Sequence, residues 1–139
     1  MTRFQNKIVL ITGAGSGIGR STALRLDKEG ATSIIVDMNA EQLTETHLML
    51  SNPESTLRVL DISSLDDAKK CFQEIKETHN QLDALINVAG ILRFDNSHEV
   101  EISNWNKILE VNLTGTFFMC NFGLPMLLES KGCIVNVSS

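Results

Sequence analysis

Short apolar runs alternate with longer amphipathic stretches along the whole chain. Runs rich in Val, Ile and Leu predict buried strands, and the stretches between them have the length of helices. Strands that alternate with helices indicate an α/β fold, Rossmann-like, with a doubly wound parallel sheet and right-handed crossovers. We expect this sheet to be incomplete on its C-terminal side. The predicted strands are residues 7–12, 33–37, 56–61, 82–87 and 133–138.

The clearest helical pattern lies in residues 64–77. Ser64 stands where it can cap the helix, and acidic residues follow in the first turn, next to the positive end of the helix dipole. The apolar positions fall on one stripe, which predicts a helix packed on the sheet. The stripe contains Leu65, Ala68, Phe72 and Ile75.

Two further helices have recognisable ends. The first predicted helix ends at Gly30, a residue type that is common just after a helix. The longest predicted helix runs over residues 103–129. We expect Gly123 and Pro125 to weaken or bend its last turns, because proline removes a helical hydrogen bond.

Composition narrows the functional classes. The chain of 139 residues has 42% hydrophobic and 21% charged residues, which is typical of a soluble globular domain or part of one. Its net charge of −5 and scattered Lys and Arg argue against a nucleic-acid or membrane partner. We see neither a signal peptide nor a membrane-spanning segment. Cys71, Cys120 and Cys133 form no CxxC pair, which favours reduced thiols in a cytoplasmic protein. The isolated histidines predict no metal site.

A glycine-rich turn follows the first predicted strand and opens the first helix. Glycines allow a ligand to approach the backbone closely, and the N–H groups and dipole of a helix start favour a pyrophosphate. The alternative is a tight turn without a ligand. A Walker P-loop fits poorly, because Ala14 and Arg20 replace its first glycine and its lysine. The candidate cofactor-binding residues of this turn are Gly13, Ser16, Gly17, Ile18 and Gly19.

Asp37 ends the second predicted strand and bears on the choice of cofactor. It follows Gly19 by 37 − 19 = 18 positions, close to the spacing of an acid that binds the adenosine ribose hydroxyls. A carboxylate there accepts hydrogen bonds from NAD and repels the 2′-phosphate of NADP. No Lys or Arg flanks it, and Met38 comes next. The sequence therefore favours NAD, with NADP as the weaker candidate.

Several motifs in order resemble the short-chain dehydrogenase/reductase family. They are Thr12-Gly13-x-x-x-Gly17-x-Gly19, "NVAG" at 87–90 and "NVSS" at 136–139. The resemblance implies an NAD-dependent oxidoreductase that transfers hydride to or from a small-molecule substrate, a secondary alcohol on one side and a ketone or aldehyde on the other. Residues 1–139 would be its NAD-binding Rossmann domain. A Rossmann-type methyltransferase is a weaker alternative, since "NVAG" and "NVSS" have no role in it.

The same resemblance implies roles for single residues. Asp61 and Ile62 would flank the adenine, and Asn87, Ala89 and Gly90 would line the ribose side. Asn112 would hold a water for proton relay, and Ser139 would be the catalytic serine that binds the substrate oxygen. From the residues alone, other interpretations stay open. They are a plain strand end for Asp61, a structural turn bond for Asn87, a core amide for Asn112 and a hydroxylic strand end for Ser138 and Ser139.

One departure from the family concerns the general acid/base. The family uses a tyrosine in a Tyr-x-x-x-Lys motif downstream of the serine, and this chain has no tyrosine. We therefore expect a coenzyme-binding fragment of a longer enzyme that is inactive by itself. The alternative is a catalytically inactive nucleotide-binding or dimerisation module.

The longest helix also predicts association. It has more large apolar residues than one buried stripe needs, and in the resembling family this helix forms a dimer face. We expect a homo-oligomer. The residues concerned are Trp105, Leu109, Leu113, Phe117, Phe118 and Met119.

Overall fold

The computed structural model describes residues 2–139 as an α/β fold with one parallel five-stranded sheet, as predicted. The strand order is β3-β2-β1-β4-β5. The strands are β1 (Ile8–Thr12), β2 (Thr32–Asp37), β3 (Thr56–Val59), β4 (Ala84–Asn87) and β5 (Cys133–Asn136). The helices are α1 (Gly17–Lys28), α2 (Ala40–Leu48), α3 (Leu65–Thr78), α4 (Ile102–Leu109) and α5 (Thr116–Ser130).

The central strands are apolar on both faces because helices cover both. In β1, Leu10 packs in the layer with α3 and α5, whereas Val9 and Ile11 pack with α1 and α2. In β2 the same alternation separates Ile34 from Ile35. Burying one such side chain stabilises the fold by roughly 1.5–3 kcal/mol. The two layers therefore hold the sheet from both sides.

Helix α3 follows its predicted pattern with one exception. The Ser64 hydroxyl accepts a hydrogen bond from the N–H of Asp67 and caps the helix. Ala68, Phe72 and Ile75 are buried, but Leu65 lies at the first turn and is 42% exposed. Cys71 takes part in the core instead, because it stands three residues after Ala68 and four before Ile75 on the same helix face.

The long helix differs from the prediction in its middle. It is continuous from Ile102 to Ser130, but Glu110–Gly115 forms a π-helical segment between α4 and α5. Pro125 lies inside α5, which nevertheless continues to Ser130. The helix therefore extends through the residues that we expected to weaken it.

This helix also gives the one candidate for a membrane span among residues 2–139. Ile102–Ser130 is long and apolar enough by length and composition alone. That is weak support, since core helices pass the same test, and α5 packs against α3 and the sheet.

The order in which successive strands are added to the parallel sheet reverses between β1 and β4. β2 and β3 extend the sheet on one side of β1, and β4 and β5 extend it on the other. In open α/β sheets, ligands bind at such a switch point, outside the carboxyl ends of the strands. The fold therefore directs attention to the loops that follow β1 and β4.

Candidate functional site

A cleft of about 320 Å³ lies at the carboxyl ends of the strands. Its walls come from the turn after β1, the ends of β2 and β3, and the loop after β4. The lining includes most of the residues that the sequence predicted for the cofactor: Gly13, Ser16, Gly17, Ile18, Asp37, Asp61, Ile62, Ala89 and Gly90. Further lining residues were not predicted: Val36, Met38, Gln42, Leu60, Val88, Ile91 and Val111.

The glycine turn forms the floor beside β1. Gly13 has a φ of 66°, in the left-handed region where side chains are disfavoured. A Cβ there would lie 2.7 Å from the backbone nitrogen of Ala89. Both facts require glycine. The next strand end can therefore approach the turn, and Gly19 is buried behind it rather than lining the cleft.

The Thr12 hydroxyl connects the two strand ends. It accepts hydrogen bonds from the N–H groups of Val88 at 3.1 Å and Ala89 at 3.2 Å. Thr12 is fully buried at the end of β1. From the sequence, Thr12 could be placed next to the glycine turn. The partners of its hydroxyl could not be predicted, because they lie on a distant part of the chain.

The start of α1 is open to an anion. Ser16 precedes the helix without making a side-chain capping bond, and within the described residues no acidic side chain lies in the first turn. The first N–H groups of a helix have no partner inside it, and the helix dipole is positive there. The residues therefore fit a phosphate group of a dinucleotide.

Asp37 lies at the opposite wall. Its Oδ2 accepts a hydrogen bond from the Gly15 N–H at 2.9 Å, and its Oδ1 accepts one from the Asn39 N–H at 2.9 Å. Each carboxylate oxygen has a second lone pair for a further donor. The carboxylate is thus fixed while remaining able to accept hydrogen bonds from hydroxyl groups in the cleft.

Asp61 follows β3 at the neighbouring wall. Its Oδ1 accepts hydrogen bonds from the Ser63 hydroxyl at 2.6 Å and the Ser63 N–H at 2.9 Å. Partial burial raises the pKa of this carboxyl, but the Ser63 bonds and the Lys107 ammonium outweigh burial and leave the pKa below its ordinary value. Asp61 therefore stays anionic at neutral pH.

Asn87 lies deeper than the cleft, at the end of β4. It is 3% exposed, and its Nδ2 donates to Asn136 Oδ1 at 2.8 Å and to Cys120 Sγ at 3.3 Å. The Asn87 backbone oxygen accepts the N–H of Val137. The side chain therefore ties β4 to β5 and α5, and it does not line the cleft.

Asn112 lies in the π-helical segment and holds the loop after β4. Its Oδ1 accepts the Ile91 N–H at 2.7 Å, and its Nδ2 donates to the Ile91 oxygen at 2.8 Å. Its own backbone oxygen accepts the Thr116 hydroxyl at 3.0 Å. Because Asn112 is exposed, the alternative of a core amide is wrong.

Ser138 and Ser139 are exposed beyond the end of β5. They do not belong to the lining of the cleft. The structure thus brings together most of the predicted cofactor residues, at the ends of β1, β2, β3 and β4, whereas Ser139 is not among the residues that line the cleft. Among residues 2–139, no group of three His, Cys, Asp or Glu side chains stands where it could hold a metal ion.

Comparison with known sequences gives a family match over nearly the whole chain. The sequence model for short chain dehydrogenases matches residues 7–139. A meso-2,3-butanediol dehydrogenase of Serratia marcescens is 36% identical over 99% of this chain and 55% of its own length. A 3beta-hydroxysteroid dehydrogenase of Mediterraneibacter gnavus is 38% identical over 100% of this chain and 51% of its own length.

Solved structures agree with the sequence comparison. NAD+-bound xylitol dehydrogenase superposes with a TM-score of 0.94 at 29% identity, covering 99% of this chain and 54% of that one. Levodione reductase gives a TM-score of 0.92 at 29% identity, covering 99% of this chain and 55% of that one. The chain therefore spans about half the length of the relatives that it matches.

Proposed function

The chain belongs to the short-chain dehydrogenase family, and we propose that it forms the NAD-binding part of an oxidoreductase. The cleft at the switch point carries this proposal, because it combines an open helix N-terminus with a fixed carboxylate at the end of β2. NAD would supply the chemistry of hydride transfer. The residues of this chain would bind and orient it.

We propose that the 2′- and 3′-hydroxyls of the adenosine ribose donate to Asp37. A carboxylate at this place repels the 2′-phosphate of NADP, which favours NAD. Ser16, Gly17 and Ile18 would hold the pyrophosphate with their backbone N–H groups. Asp61 would lie beside the adenine with Ile62, and Ala89 and Gly90 would line the ribose side.

The proposed substrate is a small-molecule alcohol or carbonyl compound: a secondary alcohol, a ketone or an aldehyde. Support comes from the relatives, whose names include a butanediol dehydrogenase and a cyclohexanol dehydrogenase. In the whole protein, Ser139 would donate a hydrogen bond to the substrate oxygen, and Asn112 would hold a water for proton relay.

We propose further that the 139 residues alone transfer no hydride. Hydride transfer to or from an alcohol needs a group that takes or gives the alcohol proton. The 139 residues contain no tyrosine for that task. An inactive nucleotide-binding or dimerisation module is the second candidate, and the same observation favours it. The described cysteines are unpaired, which supports a cytoplasmic location.

Calorimetric titration of the chain with NAD and NADP tests the cofactor proposal. We expect NAD to bind more tightly. Asp37→Asn should narrow the ratio of the two affinities, because it removes the charge that repels the 2′-phosphate. The carboxylate–hydroxyl bonds are worth about 1.5–3 kcal/mol in all.

Asp61→Asn is the matched control, since it removes a carboxylate from the same cleft at another strand end. It should weaken both cofactors by similar factors and leave their ratio unchanged. Equal or tighter NADP binding by the wild-type chain would refute the preference for NAD.

A further inference from the structure

Arg20 reaches from α1 across to α2 behind the glycine turn. Its Nη2 donates to the Gly15 oxygen at 2.5 Å and to the Gln42 oxygen at 3.2 Å, and it pairs with Glu45 Oε2 at 3.0 Å. Its Nε donates to Thr46 Oγ1 at 2.9 Å. Arg20 therefore joins the glycine turn to α2 through a single planar group.

Gly15 lies between this cation and the carboxylate of Asp37, and its two flanking peptide groups each bond to one of them. Its carbonyl oxygen accepts from Arg20, and its N–H donates to Asp37 Oδ2 at 2.9 Å. A Cβ at Gly15 would lie 2.9 Å from the same Oδ2. A side chain there would displace the Asp37 carboxylate, so the path of the backbone at Gly15 and the position of that carboxylate are coupled.

We propose that Arg20 is a positioning residue for recognition of the adenosine ribose. The Gly15 carbonyl belongs to the peptide group after Gly15, and the Gly15 N–H belongs to the one before it. Arg20 fixes the first of these and so limits the rotation of the glycine backbone between them. This keeps the Gly15 N–H directed at Asp37 and holds the carboxylate where ribose hydroxyls can donate to it. A binding group of this kind depends on neighbours that lock its orientation. This inference rests on the proposed function, in which Asp37 binds the ribose.

The ion pair with Glu45 does not by itself explain why the Arg20 side chain is held in this place. Glu45 is 54% exposed, and exposed ion pairs contribute little to stability. The side chain of Arg20 is only 25% exposed; its Nη2 also donates to two backbone oxygens, and its Nε donates to the Thr46 hydroxyl. A lysine has one ammonium group and cannot reproduce this planar set of donors.

The test compares binding of ADP and 2′-deoxy-ADP, which differ only at one ribose hydroxyl. We expect the wild-type chain to prefer ADP about tenfold or more, the factor that one hydrogen bond to a charged group supports. In Arg20→Gln and Arg20→Lys the preference should fall to about threefold or less. Arg25→Gln is the control, since Arg25 lies on the same helix and pairs with Glu29, away from the cleft.

A second pair of variants keeps the proposal testable if the Arg20 variants do not fold. Thr46→Val removes an acceptor of Arg20 and should reduce the preference, whereas Thr46→Ser retains the hydroxyl and should preserve it. If Arg20→Gln weakens the binding of ADP and 2′-deoxy-ADP by the same factor, the preference for ADP is unchanged. Arg20 is then merely structural and the inference is wrong. If the wild-type chain binds neither nucleotide, the proposed function fails and the inference fails with it.

Discussion

At the scale of single residues, Asp27 and Glu29 at the end of α1 have a different role from the acidic residues of the cleft. Asp27 accepts hydrogen bonds from the backbone and hydroxyl of Ser51 and from the Asn52 N–H. Glu29 accepts from Arg3 and Arg25 and is 4% exposed. Neither acid lines the cleft. These carboxylates therefore stabilise the fold, whereas Asp37 keeps acceptor capacity directed at the cleft.

Glu29 predicts a specific loss of stability in acid. Hydrogen bonds from Arg3 and Arg25 lower the pKa of Glu29 from 4.5 to about 2. Because the pKa in the folded state is the lower one, the stabilisation is present above about pH 4.5 and is lost as the pH falls towards 2. We expect the free energy of unfolding, measured by urea denaturation, to fall across this window.

Glu29→Gln should have a lower free energy of unfolding than wild type at pH 7, with a smaller further loss between pH 4.5 and 2. Glu77→Gln, at an exposed site on α3, is the control and should follow the wild-type curve. Parallel curves for Glu29→Gln and wild type would show that this carboxylate does not contribute.

At the scale of elements, the sequence predicted the order and type of strands and helices, because continuous Val, Ile and Leu runs indicate the buried strands and amphipathic stretches between them indicate the helices. The α3 stripe and the Ser64 cap depend on neighbours in sequence, so they could be predicted. The π-helical segment at Glu110–Gly115 could not be predicted, because a single wider turn inside a helix requires no change in amino-acid composition. Likewise, Asp37 was predicted from its place at the end of the second strand, but its bond to Gly15 depends on the folded turn.

The π-helical segment leads to a prediction about the loop after β4. Asn112 makes two hydrogen bonds to the backbone of Ile91, and each such bond contributes about 0.5–1.5 kcal/mol. Asn112→Ala should therefore lower the free energy of unfolding by about 1–3 kcal/mol. Hydrogen exchange of the Ile91 amide, measured by NMR, should become faster.

Asn106→Ala, at an exposed site on α4, provides the control and should leave the Ile91 amide protected. Unchanged exchange at Ile91 in Asn112→Ala would mean that the loop is held by other contacts.

At the scale of the whole molecule, the long helix presents an apolar stripe to solvent, here called the outer stripe. Met119, which was predicted as part of the excess, is buried in the core instead, and Phe118 packs against it. Single exposed apolar residues need no explanation, but a continuous row marks an interaction surface. The outer stripe contains Ile102, Trp105, Leu109, Leu113, Phe117, Leu124 and Leu128.

We expect the outer stripe to pair with the same stripe of a second copy. The helix runs from Ile102 to Ser130 and is therefore about 43 Å long. A two-fold axis across it would place the same patch on both sides of the interface. Light scattering at micromolar concentration should give the mass of a dimer or a larger assembly. Phe117→Lys should shift that mass towards the monomer, because a dimer would bury the charge without a partner.

Leu48→Lys is the matched control for this change. Leu48 is 79% exposed at the end of α2, outside the stripe, so the same charge there should leave the assembly intact. A wild-type monomer at micromolar concentration would contradict the prediction. Equal dissociation of the assembly in Phe117→Lys and Leu48→Lys would show that net charge, and not the outer stripe, controls association.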